Sequence, residues 1–266
     1  MNNLDLSVIL PIKSSKFFQF EEYFTKAITS IKEQDVQPKE LIIVHTQEQD
    51  LINHINDFDF GDLNVKKIEW TNEPNFCAQI NFGVENSTSN WVSFFEIDDE
   101  YSKIWFKNVK KYSESYKNID CFLPIVVDTD DKALFIGFTN EATFALNLTN
   151  EIGMLSNEIL QNFQNFQLSG LAIKREKFIE IGMLKPSFDL TFGYEFFLRL
   201  THNSNNVMTI PKIGYKHTNL RVGSIFWNYK NGDRKLTEPE VKFWIESAKK
   251  EYFFNKDRNI KYQNEI

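Results

Sequence analysis

Short apolar runs alternate with amphipathic stretches through the first half of the chain. Residues 6–12 (LSVILPI), 41–44 (LIIV) and 91–97 (WVSFFEI) are nearly continuous apolar runs of strand length, as expected of strands buried on both faces. Residues 65–70 read as a further strand. After the first run, Phe20, Tyr23, Phe24, Ala27, Ile28 and Ile31 follow the i, i+3, i+4, i+7 spacing of a helix, with Ser14 or Ser15 as its expected cap and Pro38 beyond its end. Asn75 is the expected cap of a helix over 76–84, and another amphipathic helix covers roughly 103–116. The order β-α-β-α-β-α-β-α predicts an α/β fold, a mostly parallel sheet with helices on both faces.

The second half is less regular. Residues 121–127 and 134–138 read as strands around an Asp-rich turn (Asp128, Asp130, Asp131), and 168–173 as a strand followed by a short helix over 175–181. Residues 190–200 have helical spacing, and 207–210 form a short strand ended by Pro211. Thr237-Glu238-Pro239-Glu240 has the capping-box pattern with proline in the first turn, which predicts a last helix reaching about Phe254. No internal repeat or Gly/Ser linker divides the chain. Residues 1–225 are expected to form one domain, with 226–266 a C-terminal helical extension packed on it.

Composition narrows the function. The 266 residues are 42% hydrophobic and carry 26 Phe, too rich in aromatics for a disordered chain. A net charge of −7 weighs against a nucleic-acid binder, which needs a concentrated basic surface. Cys77 and Cys121 make neither a disulfide framework nor a metal-ligand spacing, and read as reduced core thiols. The first thirteen residues lack the basic start of a signal peptide, and no run approaches the ~18 apolar residues of a membrane span. The cytoplasm is the expected compartment.

In an open parallel sheet, ligands bind beyond the carboxyl ends of the strands. Those ends carry Pro11 to Lys13, His45 and Thr46, and residues 96–100. The last group holds Glu96, Asp98, Asp99 and Glu100, four carboxylates in five residues. Side chains two apart on a strand face the same way, so Glu96 and Asp98 are placed to converge on one ion. Hard oxygen ligands suit Mg2+ or Mn2+, which in turn hold a diphosphate. Set beside this is the plainer reading of a solvated acidic turn.

Several segments, in order, resemble family 2 glycosyltransferases of the GT-A fold. LSVILP resembles that family's opening strand, AITSIKEQ its "AIxSILxQ" stretch, and KELIIVH its "ELIIVDD" strand. CAQINFGVENSTSNWVSFFEIDDE is similar to "AARNxGIxxAxGEYIxFLDxDD", SGLAIKREKFIEIGML to a strand followed by "KRExFExIGGF", and TFGYEFFLRL to a helix beginning "EDxxLxLRL". HTNLRVGS is similar to "R-x-H-x-x-S" segments near the end of the catalytic domain. The resemblance covers about residues 6–225.

It implies a transferase, inverting at the sugar, that moves a sugar from a nucleoside diphosphate to an acceptor hydroxyl of a carbohydrate or other molecule. Asp98 matches the second acid of the D-x-D metal motif, Glu96 the first, and Asp99 the acid that follows. Asn81 and Gly83 match the helix beside the nucleoside pocket, and Pro11 lies where the base binds. His45 and Thr46 stand where the family has Asp. Ile80 replaces an Arg, and Phe192 and Gly193 replace the "ED" pair that contains the catalytic base. Glu195 and Asp189 are then the candidate bases, with Arg199 expected to pair with Glu195. His217 and Arg221, read as part of a lid, are candidate ligands of the diphosphate, and His217 is a candidate metal ligand as well. Phe226, Trp227 and Tyr229 are read as packing for the last helix, with an acceptor platform as the other use. His54 and His202 are expected at the surface. A binding protein of the same fold that has lost its base is the competing reading.

Overall fold

The computed structural model describes residues 3–145, 151–219 and 221–263; Leu220, within the HTNLRVGS segment, lies outside them. Among the described residues the sheet has ten strands: β1 (Leu4–Ile12), β2 (Pro38–Thr46), β3 (Val65–Trp70), β4 (Trp91–Phe94), β5 (Glu100–Tyr101), β6 (Cys121–Thr129), β7 (Phe135–Thr139), β8 (Met154–Leu155), β9 (Ala172–Lys174) and β10 (Val207–Thr218). Their order is β3-β2-β1-β4-β9-β6-β10-β5, with β7 on β6 and β8 on β10. The half β3-β2-β1-β4 is parallel, as the alternation of strands and helices predicts. β9 is inserted antiparallel between β4 and β6, and β10 returns parallel to β6.

The helices are α1 (Phe20–Lys32), α2 (Gln49–Asp57), α3 (Phe76–Glu85), α4 (Trp105–Ser115), α5 (Asn157–Asn162), α6 (Arg175–Glu180), α7 (Phe192–His202), α8 (Ile225–Asn231) and α9 (Glu238–Glu251). They cover both faces of the sheet. Along β1, Ile9 packs with α3 and α7 residues on one face, while Leu6, Val8, Leu10 and Ile12 pack with α1 on the other. That is the period-2 burial of a doubly covered strand.

Two caps follow expectation. Asn75 Oδ1 accepts from Ala78 N at 2.9 Å, and Thr237 Oγ1 accepts from Glu240 N at 3.3 Å. The expected cap of α1 does not form. The helix starts later, after Gln19, and the Ser14 and Ser15 hydroxyls instead donate to Glu48. β10 also outruns its expected end at Pro211 by seven residues. Its pairing to β6 shifts register between Thr209 and Ile213, which absorbs the N–H that proline lacks. The strand expected over 168–173 shortens to β9, because Gly170 turns the backbone at φ +71°. Trp244, Ala248 and Tyr252 of the C-terminal segment are buried in the same core as α7.

Candidate active site

β4 lies beside β1 with Phe94 opposite Ile9, and Phe95 N still donates to Ile9 O at 3.0 Å. The chain then leaves the sheet in a tight turn closed by Asp99 N donating to Glu96 O at 3.2 Å. It comes back as β5, antiparallel to β10. The end of β10 fastens this turn: Thr218 N donates to Asp99 Oδ1 at 2.8 Å, and Thr218 Oγ1 to the Asp98 carbonyl at 2.6 Å. Glu96 is placed by Ser169 Oγ, which donates to its Oε1 at 3.1 Å, and by Tyr215, whose hydroxyl accepts from Glu96 N at 3.2 Å. Next to Ser169, Gly170 is required on two counts. Its φ is positive, and a Cβ there would stand 2.4 Å from the Tyr215 ring.

One ligand atom each from Glu96, Asp99 and His217 falls within a 4.8 Å group. Asp99 is 1% exposed, and its Oδ2 has no hydrogen-bond partner among the described residues. Asp98 points elsewhere: it receives Arg221 Nε at 2.6 Å, and the Arg221 guanidinium lies 4.1 Å from the Phe17 ring centre on the loop after β1. The expected pairing of Glu96 with Asp98 rested on an extended strand through residue 98. Because the strand ends at Phe94, the two-residue alternation does not reach Asp98, and Asp99 takes its place beside Glu96.

The charges in this group support one another. Burial pushes the Glu96 carboxyl above its ordinary range, with His217 pulling it down and Asp98 pushing it up. Burial holds Asp99 well above its ordinary value, and Glu96 and Asp98 add to that against the pull of His217 and the Thr218 amide. For His217 burial acts downward, but Asp99, the hydrogen bond to Asp128 and the Glu96 charge outweigh it and hold the imidazole up to about 10. Carboxyls raised by burial and by one another mark a group whose negative charge lacks enough compensation. His217 belongs to β10 and not to a lid.

Other expected residues fall in different places. Pro11 and His45 lie at the same carboxyl edge, where Pro11 pairs with Val44 and Ile12 with His45. His45 Nδ1 donates to the Thr46 carbonyl at 3.0 Å, and Thr46 Oγ1 donates to Lys13 O at 2.7 Å, which ties the β1 and β2 exits together. Asn81 does not offer its amide to a ligand. It donates to Leu184 O at 2.8 Å and accepts from Leu184 N at 3.0 Å, clamping α3 to the loop before α7.

Glu195 is corrected as well. It is fully buried, with Arg199 Nε and Nη2 at 2.8 and 2.9 Å and Lys185 Nζ at 2.8 Å. Arg199 also donates to the Ile181 and Met183 carbonyls, so the carboxylate anchors a loop and has no path to a substrate. The expected pairing of Glu195 with Arg199 at i+4 is present. Asp189 remains accessible, and Arg234 Nη2 lies 3.4 Å from it. Gly193, which the sequence resemblance aligns with a catalytic base, packs against Leu168. Phe192 stacks on Phe226 at 6.1 Å.

Three residues that sequence reasoning passed over matter here: Asp128, Ser169 and Lys185. Asp128 carried the one available signal, an acid at the end of an apolar run, but it was read as part of a turn. Cys77 and Cys121 are free and buried, as expected. Among the described residues, no helix is long and apolar enough to cross a membrane.

A mostly parallel sheet with an acid cluster at its carboxyl edge and an antiparallel strand inserted beside it is a GT-A architecture. The chain belongs to glycosyl transferase family 2, whose family profile matches residues 7–181. Among solved structures, residues 1–349 of S. aureus TarS in complex with UDP-GlcNAc are similar at 17% identity and a TM-score of 0.63, over 84% of this chain and 61% of that one. The same TarS fragment in complex with UDP is similar at 16% identity and a TM-score of 0.59, over 94% and 72% of the two chains. The longer S. aureus TarS structure gives 17% identity and a TM-score of 0.61, over 98% of this chain and 46% of that one. At such identities the likeness is one of fold. No curated protein matches the sequence.

Proposed function

We propose that this protein is a cation-dependent glycosyltransferase that moves a sugar from a nucleoside diphosphate to a hydroxyl of a carbohydrate or other acceptor. The carrying observation is the Glu96, Asp99 and His217 group with the unpartnered Asp99 oxygen. Two carboxylates from the turn between β4 and β5 and an imidazole on β10 fit Mg2+ or Mn2+. When bound, the ion supplies positive charge against the leaving diphosphate.

The chain's own residues do the remainder. Pro11, His45 and Thr46 line the carboxyl edge on the nucleoside side. Arg221 is held by Asp98 and by Phe17, and it exchanges the Asp98 carboxylate for a diphosphate oxygen when donor binds. An inverting transfer needs a group that takes the acceptor proton, a contribution of roughly 10²–10⁴-fold. With Glu195 committed to Lys185 and Arg199, Asp189 is the carboxylate assigned that role, once Arg234 yields it.

Gly193 and the buried Glu195 favour a second reading, a protein of this fold that binds a sugar nucleotide and does not transfer it. Calorimetry with UDP and donor turnover separate the two. We expect UDP to bind in Mn2+ and not in EDTA, His217→Ala to abolish the Mn2+ effect, and a UDP-sugar to be slowly hydrolysed. Metal-dependent binding with no turnover of any UDP-sugar selects the binding protein. UDP binding unchanged by EDTA and by His217→Ala sinks the cation site.

A further inference from the structure

His217 does not stand in the cation group unaided. Parallel pairing of β10 with β6 sets His217 beside Asp128, and antiparallel pairing of β6 with β7 sets Asp128 beside Gly137. Asp128 is 6% exposed. Its Oδ1 lies 2.9 Å from His217 Nδ1 and accepts from Gln167 Nε2 at 3.0 Å, and its Oδ2 accepts from Thr139 Oγ1 at 2.5 Å. Gln167 Nε2 also donates to Thr139 Oγ1 at 3.1 Å. Both carboxylate oxygens are therefore engaged, and Asp128 is left neither as a ligand nor as a base. With Nδ1 held by Asp128, Nε2 is the nitrogen His217 has left for a cation.

We propose that Asp128, braced by Thr139 and Gln167, is a positioning residue that fixes the His217 ring with Nε2 toward Glu96 and Asp99. The proposal rests on the cation site described above. A buried imidazole pivots about two side-chain bonds, and an ionised acceptor on its far nitrogen removes that freedom and makes the ligating nitrogen more basic. Partners of this kind contribute 10- to 100-fold to metal affinity in other proteins. The same bonds connect the β6–β7 hairpin to the site, so the placement of β7 bears on cation binding although β7 supplies no ligand.

Mn2+ itself is the probe, with affinity from electron paramagnetic resonance and the ¹⁴N modulation of a bound imidazole from the spin echo. Wild-type protein is expected to bind Mn2+ with that modulation, and His217→Ala to lose it. Asp128→Ala is expected to bind roughly 10- to 100-fold more weakly with the modulation reduced or lost. Asp128→Asn, which keeps an acceptor for Nδ1, is expected to restore the modulation. Thr139→Val removes only a brace; it carries the test if the alanine variant does not fold, with an expected weakening of about fivefold. Unaltered affinity and modulation in folded Asp128→Ala, or in Thr139→Val where that variant stands in, overturn the positioning role and leave the cation site intact. A wild-type protein that binds no Mn2+ overturns both.

Discussion

At the residue scale the site works against the stability of its own fold. Asp99 is buried with one oxygen unpaired among the described residues, and its carboxyl sits well above its ordinary value. An acid raised in this way favours the folded state below its unfolded value near 4. That contribution is lost as pH rises through the raised folded value. Asp99→Asn keeps an oxygen for Thr218 N–H and removes the charge. We expect the variant to be more stable than wild type near neutral pH by roughly 1–3 kcal/mol, the scale of an unsatisfied buried group, and to lose Mn2+ binding. The gain should shrink toward zero as pH falls below about 4, where the wild-type carboxyl is protonated in either state. Urea melts at two pH values measure this. An asparagine variant less stable at neutral pH would mean that the carboxylate has a partner after all.

At the element scale, α7 shows how much of the site was legible in the sequence. Its apolar spacing places the helix within two residues of where it starts, and the i+4 pairing of Glu195 with Arg199 reads directly from the pattern. What could not be read is which way Glu195 faces, because that depends on Lys185, ten residues earlier on a loop. In the structure the Glu195 carboxylate is completely buried and held by Lys185 and Arg199. The acid turn failed in a similar way. Its composition was plain, but the pairing of Asp99 with Glu96 depends on where β4 stops and on Thr218, 119 residues away. Local periodicity carries the parallel half of the sheet; the antiparallel insertion of β9 and the continuation of β10 past Pro211 are settled by tertiary pairing. Glu195→Gln separates anchor from base. Removing one charge of a buried group leaves Lys185 and Arg199 unpaired, so we expect a loss of about 3–5 kcal/mol, read from denaturant melts. A glutamine variant with wild-type stability and no turnover would restore Glu195 as the base.

At the scale of the whole molecule, the C-terminal segment is stitched to the loop that leads into α7. Trp244 of α9 is 1% exposed and packs against the Phe188 ring at 5.6 Å, and its carbonyl accepts from Thr191 Oγ1 at 3.0 Å. Lys185 Nζ donates to Glu251 O at 2.7 Å, and Ser187 N to Asp257 Oδ2 at 2.9 Å. A Cβ on Gly182 would meet the Asn255 carbonyl at 2.0 Å, so the two segments lie in direct backbone contact. The same loop passes from the Asn81 clamp to the Lys185–Glu195–Arg199 group, both of which touch elements that carry the sheet. Loosening α9 therefore loosens the support of α7 and of α3 together, and α9 should not melt ahead of the sheet. Chains of this length often unfold through intermediates, which makes the expectation a sharp one. We expect far-ultraviolet circular dichroism and tryptophan fluorescence to report one shared urea transition in wild type. Trp244→Ala should move that transition by about 3–5 kcal/mol, the usual effect of emptying a buried indole site, with both probes still coincident. In wild type, where Trp244 is the tryptophan of α9, an early fluorescence change followed by a separate dichroism transition would show that α9 is an appendage to the sheet and not part of its core.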